Sequence, residues 1–218
     1  MKFILLSLFG MLAVGAGGYT ISEEMKPLEN SSNISVTESA LSEAEIADLL
    51  HLREEEKLAH DVYAKLYEQW GERVFTNISR SENIHTTAVA KLLATHNIPD
   101  PALAELGEFT NPELQILYHE LVTQGERSLV DAVMVGATIE DLDIKDLNEA
   151  LARTDRADII AVYENLKQGS ENHLRAFNKQ ILKQTGNNYI PQYIDLAQFE
   201  AIIATASGGS GNGWGRGQ

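Results

Sequence analysis

No cysteine occurs in the 218 residues of the chain. That absence excludes disulfides, thiolate metal sites, Cys-ligated iron–sulfur clusters and cysteine nucleophiles. Any bound metal must be held by carboxylate oxygen and imidazole nitrogen. Basic residues are also scarce: 17 Lys and Arg stand against 32 Asp and Glu, a net charge of −15 at pH 7. A surface of that sign cannot neutralise phosphate, which argues against nucleic acid as a partner and against anionic lipid. It favours solubility and attracts cations. There are five prolines, most glycines sit near the two ends, and neither strand-length alternation nor an internal repeat interrupts the middle of the chain.

What is present is 44% apolar residues, enough for the core of one domain. Lys2, the apolar run 3–14 and the small residues Gly15-Ala16-Gly17-Gly18 describe a secretory signal. The run is short for a membrane span. Residues 1–18 therefore read as a signal peptide, cleaved after Ala16 or Gly18, which predicts a secreted, periplasmic or cell-surface protein. The alternative is an uncleaved N-terminal anchor, the one case in which a membrane is a partner. Residues 19–38 are polar, without apolar period, and read as a flexible linker. Residues 205–218 read as a Gly-rich disordered tail.

Between them, 39–204 reads as helices. Helix one is expected over 39–70, opened by a capping box of Ser42 and Glu45 and closed by Gly71. Helix two is expected over 77–96, stopped before Pro99. A long crossover holds a short helix at 112–123, begun by Asn111-Pro112 and closed near Gly125. Helix three starts at Ser128 and runs to Leu151, with a break near Asp143. Helix four covers 155–184 and ends at Gly186; a last short helix spans 195–204. Two short turns and one long crossover between helices two and three give the connectivity of an all-α, ferritin-like four-helix bundle.

The chemistry lies in polar residues on apolar stripes. Ile78, Glu82, His85, Val89 and Leu92 share one face of helix two. Leu52, Glu56, Ala59, Tyr63 and Leu66 share one face of helix one. Leu129, Ala132, Gly136 and Glu140 align on helix three, where small residues let a neighbour approach. Ile159, Val162, Leu166, Ser170, His173, Phe177 and Ile181 align on helix four. A carboxylate buried alone costs several kcal/mol, and a cation is one way to pair it. Two-metal carboxylate bundles take one Glu from each of two helices and Glu-x-x-His from each of the others. Glu56 and Glu140 fill the first role, Glu82 and His85 the second, and His173 half of the last. Ser170 stands where the remaining carboxylate belongs. Water or Asp143 filling that gap, a weak second position, or a single ion are the alternatives. Iron is the expected metal, with manganese or zinc as alternatives. Tyr63 reads as a core residue or a partner of a ligand. Of the Glu54-Glu55-Glu56 run, only Glu56 lies on the buried stripe. His51, His60, His96 and His119 lack a matching constellation.

Arg53-Glu54-Glu55-Glu56-Lys57-Leu58-Ala59-His60-Asp61-Val62-Tyr63, Ser81-Glu82-Asn83-Ile84-His85, Val135-Gly136-Ala137-Thr138-Ile139-Glu140 and the segment from Gly169 to Phe177 resemble the prokaryotic ferritin-like family called domain of unknown function 2202. The resemblance covers about 40–204 and implies a ferritin-like fold without an activity. More distantly, Glu56, Tyr63 and Glu82-x-x-His85 resemble rubrerythrin, which implies two-iron chemistry on peroxide. Ser170 departs from that pattern. Without cysteine, a peroxidase would need an external electron donor. The function expected is metal-dependent oxidoreduction of oxygen or peroxide. Metal sequestration without turnover and a helical interaction module at the cell surface are the alternatives.

Overall fold

The computed structural model describes residues 40–205, so the leader, the linker and all of the tail beyond Thr205 lie outside the described residues. Six helices and no strand occur among the described residues: α1 Glu43–Trp70, α2 Arg73–Thr95, α3 Pro112–Gly125, α4 Leu129–Leu151, α5 Ala157–Thr185 and α6 Leu196–Ala204. The expected helices three and four are α4 and α5. No helix among the described residues is long and apolar enough to cross a membrane.

Local chemistry sets most boundaries. Ser42 and Glu45 cap α1 reciprocally: the Glu45 N–H donates to Ser42 Oγ at 3.2 Å and the Ser42 N–H to Glu45 Oε2 at 2.8 Å. The cap holds Ser42 extended and starts the helix at Glu43 rather than at 39. Gly71, at φ 67°, ends α1 in the left-handed conformation that a Cβ disfavours. Only Glu72 then separates Gly71 from α2, which starts at Arg73, a turn earlier than expected. Glu72 makes no side-chain cap, so no cap signal marks that start. Asn111, Ser128 and Asp195 cap α3, α4 and α6. The expected break near Asp143 does not occur; α4 is continuous there, with Asp143 buried.

The two-residue link makes α1 and α2 an antiparallel pair, and the short 152–156 link does the same for α4 and α5. The pairs pack together through α1 on α4 and α2 on α5, with α3 against α1 and α4, and α6 against α5. The long connection after α2 is tied to α1 by two side chains. Glu54 accepts the N–H of Thr110 at 2.6 Å and of Asn111 at 3.1 Å. Lys57 donates to the carbonyls of Glu105 at 2.9 Å and Glu108 at 3.2 Å, and pairs with Asp61.

The apolar core forms two clusters. One gathers Val62, Tyr63, Phe75, Ile78 and Phe177; the other gathers Leu49, Leu52, Val89, Leu93, Leu147 and Leu166. On each long helix, some of the buried polar residues fall near the changeover from one cluster to the other. They are Glu56 on α1, Glu82 on α2, Glu140 and Asp143 on α4, and Ser170 and His173 on α5. A polar layer thus crosses the interior at one level.

Candidate metal centre

Helical spacing builds the layer. Glu82 and His85 stand one turn apart on α2, and His85 Nδ1 lies 2.8 Å from Glu82 Oε2 and 3.2 Å from Glu56 Oε2 on α1. His173 Nδ1 on α5 lies 2.7 Å from the other Glu82 oxygen, Oε1, and 3.5 Å from Glu140 Oε2 on α4. Glu82 therefore offers one oxygen to each half. Glu56, Glu82 and His85 form one group able to hold a metal ion, and Glu82, Glu140 and His173 a second; within each, the ligand atoms lie within 4.8 Å of one another. All five residues singled out in the sequence come together. The two imidazoles stack with centroids 5.5 Å apart.

Asp143 joins them. It is one turn beyond Glu140 on α4, is buried, and accepts a hydrogen bond from Ser170 Oγ. From the sequence, Asp143 is both an expected helix break and one candidate for the missing carboxylate. The signal that places it is Glu140-x-x-Asp143, the same three-residue step as Glu82-x-x-His85, which puts both side chains on one helix face.

Tyr63 supports the centre from α1, donating to Glu140 Oε1 at 2.6 Å. Gly136 lets α5 approach at this level, since a Cβ there would fall 2.4 Å from the Phe177 ring.

Crowded carboxyls in a low-dielectric layer push one another's proton affinity up. Burial, then the neighbouring Asp143, raises Glu56 well above the usual carboxylate range. Burial, then Glu140, pushes Asp143 up to about 8. Burial also raises Glu140, against the opposing charge of His173. Glu82 goes the other way: although burial works against it, His173 and His85 on its two sides hold it well below that range. Burial opposes protonation of His85, but Glu56 and Glu82 outweigh it and raise the ring to about 11. Glu140 and Glu82 likewise raise His173 to about 10, against burial. The layer keeps its charge down by holding protons that a divalent cation can replace.

The donor set fits such a cation. Glu56 Oε1, Glu82 Oε1, Asp143 Oδ1 and His173 Nδ1 are buried without a hydrogen-bond partner, a state that native interiors avoid. The 2.7 Å approach of His173 Nδ1 to Glu82 Oε1 lacks hydrogen-bond geometry, so both atoms remain open to a shared ion. Carboxylate oxygens with two imidazoles suit iron, manganese or zinc.

Expectations for Glu54, Glu55 and His51 need correction. Glu54, Glu55 and Glu56 are all buried, not one inward residue beside a solvated pair. Glu54 binds loop N–H groups, and Glu55 turns toward α4. His51 also has a constellation: with Glu55 and Asp146 it forms a third group able to hold a metal ion. His60 and His96 pair with Asp61 and Asp158.

Comparisons with known proteins bear on the lineage. The model of a family described as an uncharacterized protein domain (DUF2202) matches residues 45–206. The chain is 49% identical over 174 residues to the uncharacterized protein MJ0754 of Methanocaldococcus jannaschii, covering 79% of this chain and 94% of that one. The crystal structure of that hypothetical protein superposes with a TM-score of 0.76 at 48% identity, covering 80% of this chain and 99% of the other.

Proposed function

This chain belongs to the DUF2202 family, and from that premise we propose that it is a ferritin-like four-helix bundle that holds two metal ions in its buried polar layer. The observation that carries the reading is the division of Glu82 between His85 and His173, one oxygen to each half. Glu56 and His85 complete one position, and Glu140 and His173 the other. Asp143, oriented by Ser170, supplies the carboxylate that α5 lacks at position 170. Each long helix thus contributes to the layer, as in two-metal carboxylate bundles.

Iron is the favoured occupant and manganese the next; such a pair supplies electrons to oxygen or peroxide. The protein's own groups then have defined tasks. Glu56, Glu82, Glu140 and Asp143 balance the cation charge. The Tyr63 hydroxyl fixes the direction of Glu140, and the apolar clusters on both sides of the layer exclude water. Because the chain has no cysteine, electrons must come from an external donor. The distant similarity to rubrerythrin points to the same chemistry, and the leader-like residues 1–18 point to work outside the cytoplasm.

Elemental analysis of protein purified from its native compartment tests the reading, with two ions per chain expected at the centre and loss of both in Glu82→Ala. Metal bound only to the native state should also raise the melting temperature, by the equivalent of about 2.7 kcal/mol for each ion at a hundredfold excess over Kd. Protein that takes up no iron or manganese, and melts identically with and without either, removes the proposal. Metal-dependent peroxide loss marks turnover; tight binding without it marks sequestration.

A further inference from the structure

The third group of ligand-type side chains lies outside the centre. His51 and Glu55 stand one turn apart on α1, and Asp146 faces them from α4. His51 Nε2 is 3.7 Å from Glu55 Oε2 and 3.6 Å from Asp146 Oδ2, and the three ligand atoms lie within 4.8 Å of one another. We propose that His51, Glu55 and Asp146 bind a divalent first-row cation, as an outer site separate from the buried pair.

Glu55 carries the argument. It is 3% exposed, and its Oε2, the oxygen turned toward His51, has no hydrogen-bond partner. A carboxylate oxygen withdrawn from water without a donor is costly, and a cation between Glu55, Asp146 and His51 removes that cost. Lys145 does not fill the role. It engages the other Asp146 oxygen, Oδ1, at 2.6 Å and reaches on to Glu149 at 3.0 Å, leaving Oδ2 facing His51. One imidazole and two carboxylates select borderline cations such as manganese, iron(II) and zinc over calcium, which takes oxygen alone.

The position has a direction. Side-chain exposure falls from 40% at His51 through 18% at Asp146 to 4% at Glu55. Water can fill the remaining coordination positions on the His51 side. On the inner side, Asp146 is one turn beyond Asp143 on α4, and Glu55 precedes Glu56 on α1. Acidic side chains therefore continue from the outer site to the centre. The two sites share no ligand, so each can fail without the other.

Crystals soaked in manganese(II), read by anomalous scattering, test the site. The wild-type protein should show an ion among His51, Glu55 and Asp146. His51→Ala should lose that ion and keep those of the centre; Glu82→Ala should do the reverse. His51 is exposed enough for its removal to leave the fold intact, which the metal-free melting temperature checks. In solution, equilibrium dialysis against manganese(II) should give one ion per chain fewer for His51→Ala. A filled centre with no ion at His51, or equal stoichiometry in the variant, overturns the outer site. An outer ion with an empty centre overturns the two-metal reading instead.

Discussion

Gly169 on α5 makes the space that the His85 imidazole on α2 fills. A Cβ at position 169 would lie 2.4 Å from His85 Cε1 and 2.5 Å from Nε2, closer than any real contact. The ring is thus pinned from behind, with Nδ1 turned toward Glu56 and Glu82. Gly169→Ala should push the ring out of register, because the position of the added Cβ is fixed by the α5 backbone and the carbon cannot swing away. The expected outcome is loss of metal from the Glu56 half of the centre with the His173 half retained. Metal stoichiometry and a crystal structure of the variant check it.

Asp143 and Ser170 give a second pair of outcomes. If Asp143 is the fourth carboxylate, Asp143→Ala should weaken the pair of ions at least tenfold, the scale of losing a ligand or its orienting partner. Ser170→Ala keeps the carboxylate and frees its direction, so its effect should be smaller and of the same sign. Competition with a chromophoric chelator measures both. Equal effects of the two substitutions would make Asp143 a structural residue only.

Tyr63→Phe deletes the hydroxyl that donates to Glu140 at 2.6 Å. A buried carboxylate that loses a donor costs about 1–3 kcal/mol. The variant should be less stable by that order in urea unfolding of the metal-free protein. Added metal should recover part of the difference, since an ion gives Glu140 another partner.

Asp61 sets an acid limit on stability. Burial raises its proton affinity, but hydrogen bonds from His60, the Gly107 N–H and Lys57 outweigh it and hold the group below the usual carboxylate range. A folded-state value below the unfolded one of about 3.9 means that the stabilisation is present above that pH. It disappears as pH falls through the folded value. Asp61→Asn should therefore be less stable than wild type at pH 7, and the gap should close as pH falls below about 4. Urea titrations from pH 7 to 3 supply the comparison.

The sequence made some of this legible and concealed the rest for physical reasons. The Ser42–Glu45 box and Gly71 state their structure locally, and they mark the limits of α1. The inward faces bearing Glu56, Glu82, His85, Glu140 and His173 were readable because the 3.6-residue period places them among apolar neighbours. The start of α2 was not, since Glu72 makes no cap and packing of Phe75 and Ile78 decides it. Nor were the roles of Glu54 and Glu55. Glu54 binds Thr110 and Asn111, and Glu55 faces Asp146, all far along the chain, and three acids before a lysine read as a solvated face. Asp143 reads as a helix break because aspartate is a poor helix former, although its step from Glu140 puts it inside.

The ties from Glu54 and Lys57 to the long connection change what that segment can do. A stretch of this length without regular structure is ordinarily where proteases cut and insertions accumulate. Here its backbone N–H groups and carbonyls are gripped by the residues two before and one after Glu56 on the same turn of α1. Prising the connection loose would remove the N–H donors from a buried carboxylate and leave Lys57 with Asp61 as its partner beside that glutamate. Resistance of the 105–111 segment to proteolysis thus becomes an outside gauge of order at the heart of the molecule.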